Sequence, residues 1–295
     1  MARGEIARLL ASLLSEDVEL ETVHEGLGSQ AFMLLLGGVE CVVRINYSLR
    51  GFKKDRYAAE NFASEGLPVP RVLKLGRLDE THAFCITEFA TGFTLQDIEP
   101  ELARRLAAPA FEAWRAMQAV QVPASAGYGG FNGHGRARFD TWQAYLLDSV
   151  RHLDWTGLSV DQSMIAALTS CVEQLAPACP SERRLIHGDF GADNLLTDGE
   201  RITAVLDWEL AAYGDPLFDI ATAHFFAPGL ESFSEFSRYS DQQLGHLPAY
   251  GERLRCYQAF QGLGILHNFA RNGPLRSLAW TQERVQRLIK ESLAP

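Results

Sequence analysis

The stretch HGDFGADNLLTDGERITAVLDW, residues 187 to 208, places a histidine, several carboxylates and an asparagine beside two short apolar runs. The Asp198-Gly199 dipeptide between those runs is typical of the turn of an antiparallel hairpin. Pairing of the two strands would bring Asn194, which precedes the first strand, close to Asp207, on which we expect the second strand to end. Because the apolar runs anchor the loop in the core, its polar side chains are held at one point of a cleft.

Amide and carboxylate oxygens at one point are ligands suited to Mg²⁺, which completes its coordination with water and phosphate oxygens. Asn194 and Asp207 are therefore the candidate metal ligands, and Asp189 would accept or orient the proton of an attacking hydroxyl. A cluster of Asp, Asn and Gly alone is usually a plain turn. The agreement of these positions with one hairpin favours a phosphoryl-transfer site, in which His187 is a hydrogen-bonded brace and not the base.

The sequence patterns before and after residue 90 differ. From residue 18 to 89, short β-type runs predict three antiparallel strands, then one helix that stops at Gly66, then two more strands. From residue 90 onward the apolar spacing is mostly helical. The predicted fold class is α+β, with a small antiparallel five-stranded lobe containing one helix over residues 1–89 and a larger, mainly helical lobe over residues 90–295.

Length and composition limit the classes of protein. A chain of 295 residues is long enough for two lobes, and its formal net charge of -10 argues against nucleic-acid binding and suits a cationic partner. No stretch approaches the roughly 20 apolar residues of a membrane span, and residues 1–17 indicate an amphipathic helix, so we expect a cytoplasmic protein. Five scattered cysteines without a Cys-x-x-Cys pair predict buried free thiols and no zinc site.

Three segments carry a resemblance to a known family: HGDFGADN at 187–194, VLDWE at 205–209 and YGDPLFDIA at 213–221. They resemble the catalytic and metal-binding segments of the aminoglycoside phosphotransferase family, whose fold is that of the protein kinases. The resemblance is strongest to the hygromycin B phosphotransferases and covers roughly residues 20–228, including KDRYAAENFASEGLPVPRVL, TGFTLQD and GYGGFNGHG.

The resemblance implies an enzyme that depends on ATP and Mg²⁺, with the nucleotide between the lobes. It makes Asp189 the catalytic base, and Asn194 and Asp207 the magnesium ligands. Asp215 is expected to open a helix as its N-cap, and Asp219 lies one turn inside that helix, so we interpret both as structural. The segment GYGGFNGHG is expected to be a flexible loop at the rim of the acceptor site.

The first lobe offers candidates for nucleotide binding. Gly26, Gly28 and Ser29 form a predicted bend whose backbone N–H groups can approach phosphates, although such a bend is also a common plain turn. At the end of the fifth strand, the main chain of Glu88 and Ala90 would offer N–H and C=O groups to adenine. The same residues also suit a simple linker between the lobes.

Where kinases have a lysine on the third strand, the run CVVRINY offers Arg44. Its expected partner is Asp55 on the following helix, because a guanidinium can bind a carboxylate and a phosphate at once. A plain surface ion pair between Arg44 and Asp55 is the alternative. The rivals for these positions are Lys53, Lys54 and Glu60.

The expected reaction transfers the γ-phosphoryl group of ATP to a hydroxyl of an aminoglycoside, with hygromycin B as the leading candidate. Asp193 and Glu209 are the candidate carboxylates for this cationic acceptor. The resemblance places an acid one residue after Glu209, where this chain has Leu210, so the acceptor stays open. The alternatives are a kinase of another small molecule, such as another aminoglycoside, a macrolide or an amino alcohol, and a nucleotide-binding protein without transfer activity.

Overall fold

The computed structural model describes residues 1–25, 30–96 and 98–293. The helices are α1 (Arg3–Leu14), α2 (Leu49–Asn61), α3 (Pro100–Ala119), α4 (Trp142–Arg151), α5 (Gln162–Leu175), α6 (Leu217–Phe226), α7 (Glu231–Leu244), α8 (Tyr250–Asn272) and α9 (Leu275–Leu293). The strands are β1 (Glu21–Glu25), β2 (Gln30–Leu36), β3 (Val39–Asn46), β4 (Val72–Arg77), β5 (Ala83–Glu88), β6 (Phe93–Thr94), β7 (Gly129–Gly130), β8 (Arg184–Ile186), β9 (Leu195–Thr197), β10 (Ile202–Val205) and β11 (Ala212–Gly214).

Strands β1 to β5 form one antiparallel sheet in the order β1-β2-β3-β5-β4. Gly37 and Gly38 have φ angles of 58° and 81°, the positive values that the tight turn between β2 and β3 requires. Helix α2 lies between β3 and β4 in the chain. The five strands and the helix among them therefore occur as predicted, whereas a lobe boundary at residue 90 stays a prediction.

Two helices pack on this sheet. Ile6 and Leu10 of α1 share a buried cluster with Val43 of β3, whereas Phe52 of α2 packs with Cys85 of β5 in another. An apolar stripe at helical spacing is what a helix on a sheet requires. The first helix is thus amphipathic as predicted. The five cysteines are free thiols as predicted, and all are buried except Cys171, which is half-buried.

The end of α2 differs from the prediction. The helix runs from Leu49 to Asn61, so the predicted stop at Gly66 is wrong. After the helix, Ser64 and Leu67 exchange two backbone hydrogen bonds of 3.0 and 3.1 Å. These bonds close a tight turn in which the Leu67 side chain is fully buried. Burial of this leucine stabilises the turn that follows the helix.

The predicted hairpin around Asp198-Gly199 is formed by β9 and β10, and β6 pairs with the other edge of β9. Strand β10 ends at Val205, so the prediction that this strand ends on Asp207 is wrong by two residues. The pairing nevertheless continues for one backbone bond beyond the strand, because the Leu206 N–H donates to the carbonyl oxygen of Asn194 at 2.8 Å.

The segment GYGGFNGHG is packed, so the prediction of a flexible loop is wrong. Gly129–Gly130 forms β7, which pairs with β11 in a small sheet that also contains β8. Phe131 is fully buried and stacks on Tyr213 with ring centroids 4.6 Å apart. A stacked aromatic pair contributes attraction beyond its buried area, and it fixes this glycine-rich run.

The helices from α3 onward surround one large apolar core. Within it, the buried Asp215 carboxylate accepts hydrogen bonds from Arg253 Nε at 2.8 Å, from the Tyr257 hydroxyl and from the Leu217 N–H at 3.1 Å. Helix α6 begins at Leu217, one residue later than predicted, and the structural role expected for Asp215 agrees with these contacts.

No helix in the described ranges combines the length and the apolar character that crossing a bilayer requires.

Candidate active site

The loop between β8 and β9 holds Asp189 and Asn194 side by side. The Asn194 amide nitrogen donates to the carbonyl oxygen of Asp189 at 2.9 Å and to its carboxylate oxygen Oδ2 at 3.0 Å. The same residue donates its backbone N–H to the Gly191 carbonyl oxygen at 3.0 Å, which closes the loop. Because the amide nitrogen points to Asp189, the amide oxygen is the atom that can bind a further ligand.

Buried hydrogen bonds of Asp219 and His187 support this loop. The Asp219 carboxylate accepts hydrogen bonds from the backbone N–H groups of His187 at 3.0 Å and Gly188 at 2.8 Å. His187 Nε2 donates to the Leu206 carbonyl oxygen at 2.9 Å, and its Nδ1 accepts from the Asp189 N–H at 3.3 Å. Both ring nitrogens are engaged, so His187 joins the loop to the chain beyond β10, as expected of a brace.

His187 also gives the fold a pH dependence that one variant can isolate. Burial lowers its pKa to about 4, below the ordinary 6.5, so the unfolded chain binds this proton at higher pH than the folded chain does. The stability contributed by neutral His187 is therefore complete above about 6.5 and is lost as the pH falls toward 4. We expect the free energy of unfolding of the wild type to fall more steeply across this range than that of His187→Gln. Urea denaturation at several pH values tests this, and parallel curves would contradict it.

Beyond β10 the chain turns sharply at Asp207. This residue has a φ of 57°, a left-handed conformation that aspartate tolerates better than most residues. The backbone bond from Leu206 to Asn194 sets Asp207 and Asn194 at the same end of the ribbon, as predicted. The next residue, Trp208, donates its N–H to Asp55 Oδ1 at 2.8 Å, which fixes the turn against α2.

Arg44 joins the five-stranded sheet to this turn. Its guanidinium contacts the Asp55 carboxylate directly and lies 3.5 Å from the Asp207 carboxylate. The side chains of Arg44 and Asp55 are only 18% and 7% exposed, so they do not form the plain surface pair. Burial lowers the pKa of Arg44, but the two carboxylates raise it by more, so the guanidinium stays charged. The rivals Lys53 and Glu60 are exposed.

The third rival, Lys54, has a role that we did not predict. Its buried ammonium donates to the main-chain carbonyl oxygens of Glu209 and, at 2.7 Å, Ala211. It also lies 4.8 Å from the centroid of the Phe131 ring. Burial lowers the pKa of Lys54 to about 8. Lysine is rarely buried, so the sequence alone offered little reason to place it inside.

The other nucleotide candidates are only partly described. The Glu88 N–H donates to the carbonyl oxygen of Arg71 at 3.0 Å, so of the Glu88 main chain only the carbonyl group stays a candidate for adenine. Ala90 lies two residues beyond the end of β5 and is half-buried. The candidates in the predicted glycine bend lie outside the described residues: Gly26, Gly28 and Ser29.

Negative charge converges at this site. Burial and then the charges of Asp193 and Asp207 raise the pKa of Asp189 to about 7, against the hydrogen bond from Asn194. Burial and the charge of Asp207 also raise the pKa of Glu209. Crowded carboxylates with raised pKa values are stabilised by a bound cation. Within the described ranges no group of three or more His, Cys, Asp or Glu side chains could hold a metal.

Comparisons with known proteins place this chain in a family. Residues 20–256 match the model of a family described as the phosphotransferase enzyme family. Hygromycin-B 4-O-kinase from Escherichia coli is 34% identical over 276 residues, which are 92% of this chain and 81% of that protein. Sequence similarity therefore extends across both the sheet and the helical part of the chain.

The solved structures agree. The crystal structure of aminoglycoside phosphotransferase APH(4)-Ia matches with a TM-score of 0.91 at 31% identity, covering 99% of this chain and 100% of that chain. A thermostable mutant of that enzyme, in ternary complex with ADP and hygromycin B, matches with a TM-score of 0.90 at 31% identity and covers 99% and 100% of the two chains. These likenesses confirm the predicted α+β, protein-kinase-like fold. The chain belongs to the phosphotransferase enzyme family.

Proposed function

We propose that this phosphotransferase transfers the γ-phosphoryl group of ATP to a hydroxyl of an aminoglycoside, with Mg²⁺ as cofactor and hygromycin B as the first acceptor to test. The observation that carries the proposal is the hydrogen bond from Asn194 to Asp189. It lies at the end of the β9–β10 hairpin where the chain continues into Asp207. A base and two oxygen ligands at one point suit phosphoryl transfer to an alcohol. The acceptor is supported by the relatives, one a hygromycin-B 4-O-kinase and one bound to ADP and hygromycin B.

Asp189 would act on the acceptor hydroxyl. With a pKa of about 7 it is a stronger proton acceptor than an ordinary aspartate, yet a large fraction is ionised at neutral pH. As the alcohol oxygen bonds to the γ-phosphorus, the hydroxyl proton passes to Asp189. The bond between the γ-phosphorus and the oxygen that bridges it to the β-phosphate breaks, which yields the phosphorylated acceptor and ADP. The 3.0 Å hydrogen bond from Asn194 would hold the Asp189 carboxylate in position.

The nucleotide would be held from two sides. The Asn194 amide oxygen and the Asp207 carboxylate would hold Mg²⁺, which supplies positive charge to the phosphate oxygens when bound. Arg44 would bind an α- or β-phosphate while Asp55 keeps its guanidinium in place. The Glu88 carbonyl group and the Ala90 main chain would contact adenine.

Replacement of Arg44 tests its proposed contact with phosphate. We expect Arg44→Met to weaken ATP binding by about 10-fold or more, because a charge-assisted contact to phosphate is lost. Arg44→Lys is expected to bind ATP with an intermediate affinity, since one ammonium does not span Asp55, Asp207 and a phosphate as a guanidinium fork does. Calorimetric titration with ATP measures both, with Arg77→Met, an exposed arginine of β4, as the control. Unchanged affinity in Arg44→Met would contradict the assignment.

The acceptor would bind near two exposed carboxylates, Asp193 and Glu209. Amino groups of an aminoglycoside are cationic at neutral pH, and the net charge of -10 attracts such a molecule at modest salt. Leu210, which is 61% exposed, follows Glu209 where the resemblance places an acid. This apolar side chain favours, as a second candidate function, transfer to another small-molecule alcohol.

An assay of ADP release separates these two candidates. The purified chain would be incubated with ATP, Mg²⁺ and hygromycin B, and in parallel with other aminoglycosides, a macrolide and an amino alcohol. ADP release that depends on hygromycin B, with a product heavier by one phosphate in mass spectrometry, supports the proposal. Turnover with another acceptor and none with hygromycin B would support the second candidate. Nucleotide binding without turnover on any acceptor would contradict both.

A further inference from the structure

One face of α2, formed by Gly51, Lys54 and Asp55, contacts the chain directly after Asp207. The three residues are spaced i, i+3 and i+4, which places them on the same side of a helix, and all three are buried. They contact residues 208–211, which are more than a hundred residues away in the sequence. The α2 face therefore fixes the segment that begins immediately after a proposed metal ligand.

Lys54 makes two of these contacts. Its ammonium donates to two carbonyl oxygens of the segment, those of Glu209 and Ala211. Lys54 is only 3% exposed, so few water molecules can replace these hydrogen bonds. A charged donor buried against two backbone acceptors holds them more firmly than a neutral donor would.

The segment also approaches α2 very closely at Gly51. A Cβ atom built on Gly51 would lie 2.9 Å from Cδ and 3.2 Å from Cβ of Glu209. Asp55 holds the start of the segment through the Trp208 N–H, and its carboxylate also contacts Arg44. The same helix face therefore touches both the proposed phosphate ligand and the chain that follows Asp207.

Asp207 depends on such restraint. Its φ of 57° lies in a sparsely populated backbone region, and such a conformation persists only where the surroundings determine it. We propose that Lys54 is a positioning residue. By its hydrogen bonds to the carbonyl oxygens of residues 209 and 211, it holds Asp207 in the orientation that binds the magnesium of the nucleotide complex. This inference rests on the proposed function, in which Asp207 is a magnesium ligand.

Calorimetric titration with the ATP analogue AMP-PNP, with and without Mg²⁺, tests the inference without relying on turnover. The measured quantity is the gain in nucleotide affinity on adding Mg²⁺. We expect this gain to fall by about 10-fold in Lys54→Met, while the affinity without Mg²⁺ stays within about 2-fold of the wild type. Lys290→Met, at an exposed helical lysine of α9, is the matched control.

A second variant guards against a folding defect. Lys54→Gln keeps a neutral NH₂ group that can donate to the buried carbonyl oxygens. We therefore expect it to fold and to show an intermediate gain in nucleotide affinity with Mg²⁺. Thermal unfolding identifies any variant that does not fold. If Lys54→Met does not fold, the gain in nucleotide affinity with Mg²⁺ measured for Lys54→Gln tests the role of Lys54. A wild-type gain with Mg²⁺ in every folded variant, or an equal loss of affinity with and without Mg²⁺, would overturn the role of Lys54. A wild-type chain that binds AMP-PNP with no gain from Mg²⁺ would instead contradict the proposed metal site.

Discussion

Asp189→Asn is expected to lower turnover by at least about 100-fold while ATP binding changes little. The asparagine can still accept the hydrogen bond that Asn194 donates at 3.0 Å, so the loop should keep its shape. What the variant loses is the ionised group that takes the proton of the acceptor hydroxyl. The expected signature is therefore a fall in kcat with nearly constant affinity for nucleotide.

Steady-state ADP release and calorimetric titration with ATP measure the two quantities for Asp189→Asn. Asp17→Asn, which neutralises an exposed carboxylate outside the helices and strands, is the matched control and should behave as the wild type. Turnover of Asp189→Asn near the wild-type rate would rule out Asp189 as the base. A parallel loss of ATP affinity would show that the residue acts mainly in nucleotide binding.

Asp207→Asn is expected to reduce the magnesium-dependent gain in nucleotide affinity by at least about 10-fold, because an amide oxygen is a weaker ligand for Mg²⁺ than a carboxylate. Asparagine is chosen over alanine since it tolerates the φ of 57° found at this position. The variant also removes the negative charge that lies 3.5 Å from Arg44. The effect should therefore appear in binding as well as in turnover, unlike that of Asp189→Asn.

Titration of Asp207→Asn with AMP-PNP at several Mg²⁺ concentrations measures this effect. The control is Asp198→Asn, at the exposed turn between β9 and β10 on the same hairpin. If Asp207→Asn needs no more Mg²⁺ than the wild type for the same nucleotide affinity, Asp207 is not a metal ligand.

The hairpin and its polar loop could be predicted from sequence because their signals are local. Asp198-Gly199 marks the turn, and pairing of the flanking apolar runs places Asn194 near Asp207 whatever the rest of the fold does. The sharp turn at Asp207 was missed, since strand β10 ends at Val205 and the chain then follows contacts with α2.

Contacts between distant segments explain most of what the sequence did not reveal. Lys54 contacts Glu209 and Ala211 across more than 150 residues, and no local pattern in the sequence indicates such a contact. Gly129–Gly130 forms a strand too short for any periodicity to show. The glycine-rich run around it was predicted to be flexible, but the stack of Phe131 on Tyr213 fixes it.

A crystal structure with AMP-PNP, Mg²⁺ and hygromycin B would show whether Asn194 and Asp207 bind one cation beside Asp189. We expect a cation about 2.0–2.1 Å from the Asn194 amide oxygen and from an Asp207 carboxylate oxygen, in contact with the nucleotide phosphates. We also expect an acceptor hydroxyl within hydrogen-bond distance of Asp189, about 2.6–3.2 Å. Nucleotide bound elsewhere, or a cation held without Asn194 and Asp207, would contradict the account.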